Sequence, residues 1–230
     1  MQGKLYGIGT GPGDPELLTL KAIKAIEACP VIAHPGHARG ERTALAIVAD
    51  YIGGKRLLEC SFAMERDMAA RQAARQATAE SIMELLAAGE DVGFVTLGDP
   101  TTYSTYMYIH EIVAAAGFAT EIIPGVTSFA AAAAALGTAL CSGDETLLVI
   151  PARHSTDIEA LLDYPGNKVI MKSGENLLKV LESLKSRGLA DRTNIVSKAS
   201  MADQRLFFNI ASFEADAQTG YFTVAIVKEA

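Results

Sequence analysis

Two short apolar runs, each ending in a Gly-Asp-Pro turn, constrain this chain more than any other feature. The first lies within residues 5–15 (LYGIGTGPGDP) and the second within residues 92–100 (VGFVTLGDP). A short apolar run bounded by turn residues reads as a buried strand. In each turn an aspartate, Asp14 or Asp99, precedes a proline, Pro15 or Pro100. Aspartate is among the best helix N-caps, and proline at the first helical position forfeits no hydrogen bond. The pattern therefore predicts strand, glycine turn and helix twice over. Such units point backbone N–H groups into a crevice at the carboxyl ends of the strands, where open α/β sheets bind ligands.

The first turn does not fit the common nucleotide loops. Gly7, Gly9, Gly11 and Gly13 alternate, so no frame yields G-x-G-x-x-G. The next strand ends in His34-Pro35, where a dinucleotide fold would place an acidic residue for the ribose. A phosphate loop fails too, because no Gly-Lys-Ser/Thr follows. Glycine serves a tight strand-to-helix turn equally well without any ligand, so this loop alone leaves both readings open.

Along the chain, strand and helix signals alternate. Strands are predicted at 5–9, 31–33, 92–96 and 119–123. Helices are predicted at 15–28, 43–51, 68–88, 101–116 and 128–136, the third of them long and amphipathic. Several end at a glycine, among them Gly89, Gly117 and Gly137. The alternation predicts βαβ units and a mainly parallel sheet flanked by helices. The pattern changes near residues 140–145 (LCSGDE), which gives an N-terminal α/β domain over 1–142 and a smaller α/β domain over 143–230. In the second, strands are predicted at 146–150, 169–171, 195–197, 205–209 and 221–227, with helices only at 158–162 and 176–186. The last two strands follow one another without a helix, so antiparallel pairing is expected there, within a mixed sheet.

Composition narrows the partners. The chain has 230 residues, half of them hydrophobic, enough for one large or two small cores. A formal charge of −7 with no Lys/Arg run argues against nucleic acid, whose binding needs a basic face. The longest apolar stretch, residues 129–140, is too short to span a bilayer, and Lys4 leads directly into the first strand with no signal segment. Cys29, Cys60 and Cys141 are scattered and odd in number, which fits a reduced cytoplasm rather than a disulfide framework. His34 and His37 have H-x-x-H spacing, yet without acidic or cysteine companions they make a poor metal site, and none is expected.

Taken together, three loops match a family. Gly9–Asp14 (G-x-G-P-G-D) followed by Leu17-Leu18-Thr19, then Gly98-Asp99-Pro100, then Pro124-Gly125-Val126-Thr127-Ser128 occur in that order. The sequence resembles the tetrapyrrole (class III) S-adenosylmethionine-dependent methyltransferases over nearly its whole length. The resemblance implies two α/β domains with the cofactor in the cleft between them, and a homodimer. The stretch from Gly98 to Tyr106, the Gly3–Gly9 segment and the His-Pro-Gly segment around Arg39-Gly40-Glu41-Arg42 are similar to the branch that methylates C20 of precorrin-2 or cobalt-factor II in cobalamin biosynthesis. Other branches act on different ring carbons, and a non-catalytic nucleotide-binding module on the same scaffold remains an alternative.

By motif, the family's cofactor contacts fall on Pro12, on Leu97, Gly98, Asp99 and Thr102, and on Thr127 and Ser128. In the second domain they fall on Met171, which ends a strand, and on Ala199. Thr127-Ser128 stands where Thr-Ala is common in relatives, which leaves its side-chain contacts open. Asp99 reads mainly as a helix cap, with cofactor contact coming from the backbone of the same turn. Tyr103 and Tyr106 stand three apart on the helix predicted there, so core packing competes with a substrate-facing edge for Tyr103. A precorrin carries eight carboxylates and calls for Arg or Lys partners. Arg39 and Arg42 come first and Arg153 and Lys172 next, although each alone also reads as a surface charge. Methyl transfer to an electron-rich carbon asks for alignment more than for a strong base, and no catalytic residue stands out.

Overall fold

The computed structural model describes residues 1–36, 42–62, 68–153, 157–213 and 222–229. It divides into two units, Met1–Thr127 and Ser128–Ala230. No helix among the described residues is long and apolar enough to cross a membrane.

The first unit follows the alternating signals closely. It contains β1 (Lys4–Gly9), α1 (Leu20–Ala28), β2 (Val31–Pro35), α2 (Arg42–Ile47), β3 (Arg56–Cys60), α3 (Met68–Ala87), β4 (Val92–Thr96), α4 (Tyr106–Ala115) and β5 (Ala119–Ile123). Its five strands form a wholly parallel sheet in the order β3-β2-β4-β1-β5. Residues two apart on a strand share a face. Ile8, Ile32 and Val95 accordingly pack with Ala22, Ile26, Ala44 and Ile47 of α1 and α2. Leu5, Val31 and Phe94 pack on the opposite face with Ala79, Ile82, Tyr106 and Val113 of α3 and α4. The sheet is thus covered on both sides, which explains why β4 is apolar at nearly every position.

Four local expectations change. The helix foreseen at 15–28 is interrupted: Asp14 caps a single 3-10 turn, Pro15–Leu17, and α1 starts afresh behind Thr19, whose hydroxyl accepts from Ala22 N at 3.1 Å. The edge strand β3 was not foreseen, because Arg-Leu-Leu-Glu-Cys is partly exposed and lacks an apolar run. The helix expected at 101–116 begins only at Tyr106. In α3 the buried positions are Thr78, Ala79, Ile82 and Leu86, so the amphipathic pattern covers only its second half.

The second unit holds α5 (Ser128–Leu136), β6 (Leu147–Pro151), α6 (Ile158–Leu162), β7 (Asn167–Met171), α7 (Leu177–Ser186), β8 (Thr193–Ser197), β9 (Arg205–Phe207) and β10 (Thr223–Val227). The sheet order is β6-β7-β10-β8-β9. Only β6 and β7 run parallel; β10 is antiparallel to both β7 and β8, and β9 to β8. The sheet is mixed, as the sequence implies. The last two strands do not pair with each other, however, because β8 lies between them and takes both as antiparallel neighbours.

The division at Thr127/Ser128 precedes the boundary that the sequence suggests at 142/143. Packing supplies the reason. Ala132 and Ala133 of α5, with Phe129 and Leu136, form a core with Val169, Val196 and Val224 of the second sheet. The alanines leave room for the helix to lie close on that sheet, while α6 and α7 cover its other face through Leu162, Leu177, Val180, Leu181 and Leu184.

Candidate functional site

In the first unit, β1 and β4 lie side by side. The chain leaves β1 toward β2 on one side of the pair and leaves β4 toward β5 on the other. Such a change of direction between neighbouring strands is the topological switch point at which open α/β sheets bind ligands, beyond the carboxyl ends of the strands. Both Gly-Asp-Pro turns lie at this edge.

The turns are fastened to each other. Thr10 N donates to Thr96 O at 3.0 Å, Gly11 N to Gly98 O at 3.2 Å, and Gly98 N to Gly11 O at 2.7 Å. Asp99 extends the fastening to the loop after β5. One carboxylate oxygen accepts from Gly125 N at 3.0 Å, and the other from Thr101 N at 2.8 Å and from the Thr101 hydroxyl. Burial by itself would raise the Asp99 carboxyl. The bonds from Thr101, Gly125 and Thr102 more than offset that and hold it below the ordinary carboxylate range.

The second turn differs from the sequence reading. Thr102 N donates to Asp99 O at 3.3 Å, closing a tight turn with Pro100 in its second position. Asp99 therefore caps a turn and not a helix. The N–H groups of Gly11, Gly98, Thr101, Thr102 and Gly125 are all satisfied within these loops, so they are not the ligand donors that a helix start would present. Sequence reasoning missed Gly125 as the partner of Asp99. The available signal was the Pro-Gly pair directly after an apolar strand.

Glycine is needed here mainly for close packing. A Cβ on Gly125 would sit 2.2 Å from Gly98 O, and one on Gly9 would sit 2.6 Å from Gly125 N. A Cβ on Gly7 would meet the Tyr106 ring at 2.1 Å. Gly98 is different. Its φ of +74° favours glycine, yet a Cβ there would find its nearest neighbour, Val126 O, only at 4.0 Å. Gly98 is itself buried, yet the space on its Cβ side is filled by no atom beyond its own chain neighbours.

The remaining first-unit candidates separate. Pro12 is buried within the first turn, and Leu97 packs against the core that holds α1. Tyr103 precedes α4 rather than sharing its face with Tyr106; it is exposed and has a left-handed φ of +52°. Tyr106 is fully buried, with its ring 5.4 Å from Phe94 and its hydroxyl 3.2 Å from His110 Nδ1. Burial pushes its phenol well above the ordinary tyrosine value. Tyr108 is exposed, and the Arg75 guanidinium stacks 3.5 Å from its ring centroid. Arg42 is the first residue of α2. Arg39 and His37 lie outside the described residues. His34 is buried at the end of β2, with Nδ1 2.9 Å from Pro35 O.

In the second unit, β6, β7 and β8 all end at one edge of the sheet. Met171 closes β7, and Ala199 follows β8 by two residues. The structure brings them into the same apolar cluster as Val196 and Val224. Ser128 opens α5. Lys172 and Lys198 come directly after β7 and β8, and both are left-handed, with φ of 54° and 55°. Such angles are uncommon outside glycine and mark positions held by their surroundings.

Comparison with known proteins agrees with this arrangement. Residues 4–213 match the model of the Tetrapyrrole (Corrin/Porphyrin) Methylases. The chain is 32% identical to the probable cobalt-precorrin-2 C(20)-methyltransferase of Methanocaldococcus jannaschii, covering 98% of this chain and 96% of that protein. It is 31% identical to the cobalt-precorrin-2 C(20)-methyltransferase of Salmonella typhimurium, covering 100% and 98%. The uroporphyrin-III C-methyl transferase of Thermus thermophilus, solved in complex with S-adenyl homocysteine, shares the fold with a TM-score of 0.73. It is 20% identical, and the match covers 99% of this chain and 98% of that one. A family model spanning most of the chain, full-length relatives and the fastened loops of β1, β4 and β5 lead to one conclusion: the chain belongs to the tetrapyrrole (corrin/porphyrin) methylase family.

Proposed function

We propose that this protein transfers a methyl group from S-adenosylmethionine to C20 of precorrin-2 or cobalt-factor II, in cobalamin biosynthesis. The observation that carries the reading is the end-to-end similarity to C(20)-methyltransferases at 31–32% identity. Bound S-adenosylmethionine supplies a sulfonium methyl, and the protein's task is to align it with the attacking carbon. The unfilled space on the Cβ side of Gly98 supports a close backbone approach at the β4 turn. Pro12, Leu97, Gly98, Asp99, Thr102 and Thr127 are the proposed cofactor contacts of the first unit, and Ser128, Met171 and Ala199 those of the second. Both Asp99 oxygens already serve Gly125 and Thr101, so its contribution is to fix the turn whose backbone meets the ligand.

Tyr103, Arg39 and Arg42 are the proposed substrate contacts. The exposure of Tyr103 and its held left-handed backbone favour that role over core packing. A homodimer in the cytoplasm completes the proposal. Light scattering at micromolar concentration is expected to give twice the 24.3 kDa chain mass. The deciding assay combines purified protein, methyl-labelled S-adenosylmethionine and precorrin-2 or cobalt-factor II, with the methylated carbon located by NMR. Label at C20 supports the reading; label at another ring carbon, or no transfer, refutes it.

A further inference from the structure

The carboxyl edge of the second sheet carries three basic side chains, Arg153 after β6, Lys172 after β7 and Lys198 after β8. Their circumstances differ. Lys198 is neutralised by an ion pair with Asp203. No carboxylate of the described residues pairs with Arg153 or Lys172, and the charge that bears on Lys172 is that of Arg153 itself. Burial pushes the Lys172 ammonium below the ordinary lysine range, and the neighbouring guanidinium adds to the push. Two like charges held at one sheet edge, with no carboxylate of the described residues beside them, repel each other, and an anion between them relieves that repulsion.

The backbone holds the pair in place. Pro151 of β6 stands opposite Met171 of β7 in the parallel register. Beyond that pair Ala152 N donates to Met171 O at 2.8 Å, and Arg153 N turns back to Pro151 O at 2.8 Å. Asn176 Nδ2 donates to Ala152 O at 3.2 Å, tying the loop after β7 to the loop after β6. Lys172 adopts its left-handed φ of 54° inside this frame. A lysine kept in a conformation that favours glycine, beside a second cation, is retained at a cost in stability, and its charge is what glycine would lack.

We infer that Arg153 and Lys172 together form a receptor for one carboxylate of the tetrapyrrole substrate. The guanidinium supplies a two-pronged hydrogen-bonding fork and the ammonium a point charge, a combination suited to an acetate or propionate side chain. The inference rests on the methyltransferase reading above. It assigns to this edge a role in holding the substrate, apart from the cofactor contacts proposed for Met171 and Ala199.

The test is calorimetric titration of cobalt-factor II and, separately, of S-adenosylhomocysteine into wild type, Arg153→Ala, Lys172→Asn and Lys172→Arg. Asparagine accepts a left-handed φ more readily than most residues, and Arg153 is exposed, so both losses of charge are compatible with folding. Loss of either charge is expected to weaken cobalt-factor II about ten- to a hundredfold and to leave S-adenosylhomocysteine unchanged, with Lys172→Arg close to wild type. Unchanged cobalt-factor II affinity in both charge-loss variants overturns the inference. So does a loss confined to S-adenosylhomocysteine, which would assign the pair to the cofactor's own carboxylate. A wild-type protein that binds neither molecule overturns the methyltransferase reading and this inference with it.

Discussion

The carboxyl edges of the two sheets are built on opposite principles. In the first unit the turns are fastened by backbone hydrogen bonds and by the twin acceptors of Asp99, and two of their left-handed positions are Gly11 and Gly98. In the second unit the left-handed positions directly after β7 and β8 are Lys172 and Lys198. Glycine brings backbone close to a ligand; lysine delivers charge. The first edge thus invests in rigidity and close approach, the second in side-chain chemistry held under strain. Substitutions at the first edge should therefore cost stability, whereas neutralising the second should spare stability and cost binding.

Asp99→Ala offers the hardest test of the first half of that contrast. It strips the partners from the Gly125 and Thr101 N–H groups in a buried turn, at roughly 1–3 kcal/mol for each unsatisfied donor. Urea unfolding is expected to show a loss of about 3 kcal/mol; a loss under 1 kcal/mol would mean the loops stand without the aspartate. The same residue sets an acid limit. Its folded-state pKa lies below the unfolded value, so its contribution is complete above the unfolded value of about 4 and is lost as pH falls through the folded one. Asp99→Asn should remove that part of the acid slope.

Gly7→Ala comes next. Its methyl would lie 2.1 Å from the ring of the fully buried Tyr106. Overpacking of this kind costs about 1–3 kcal/mol, and calorimetric melting should show a clear drop. A melting point equal to wild type would show that the Tyr106 ring yields easily.

At Gly98 the stability change should be smaller and the binding change larger. Alanine meets no atom closer than Val126 O at 4.0 Å but must hold φ near +74°, a strain of about 1–2 kcal/mol. The variant should fold, yet lose the rise in melting temperature that S-adenosylhomocysteine gives the wild type. Undiminished stabilisation by S-adenosylhomocysteine would move the cofactor away from this turn.

The smallest effect has the opposite sign. Lys172→Gly relieves the left-handed strain and the repulsion from Arg153, while glycine adds entropy to the unfolded chain. A net gain of about 0.5 kcal/mol in urea unfolding is expected, and a loss would erase the contrast between the two edges.

Much of the first unit could be read from the chain because strands covered on both faces must be apolar throughout, as β4 is. Edge strand β3 escaped for the converse reason: with Arg56 and Glu59 facing solvent it shows no apolar run. The start of α4 was misread because Asp-Pro suits a tight turn as well as a helix start, and only the bond from Thr102 N to Asp99 O decides between them. The order of the loops was legible; their mutual fastening was not, since Gly11 and Gly98 stand far apart in the sequence and meet only through strand adjacency. The boundary was displaced because the alanines of α5 do not announce which sheet they will face. Charge gave a partial signal, as Arg153 and Lys172 were visible as basic residues after strands but their shared edge required the register of β6 and β7.

The place of β10 in its sheet bears on how the second unit assembles. The parallel pair β6-β7 and the hairpin β8-β9 are each local in the chain, and no ladder hydrogen bonds join one to the other. Only β10, last in chain order, binds both, through Val224 opposite Met171 on one side and Val196 on the other. Two locally paired fragments are thus joined by a strand that must close long loops, the slow kind of step in folding. Amide exchange should then find β7 and β8 opening in concert, as the two lips of one seam; independent opening would show that the seam is not shared.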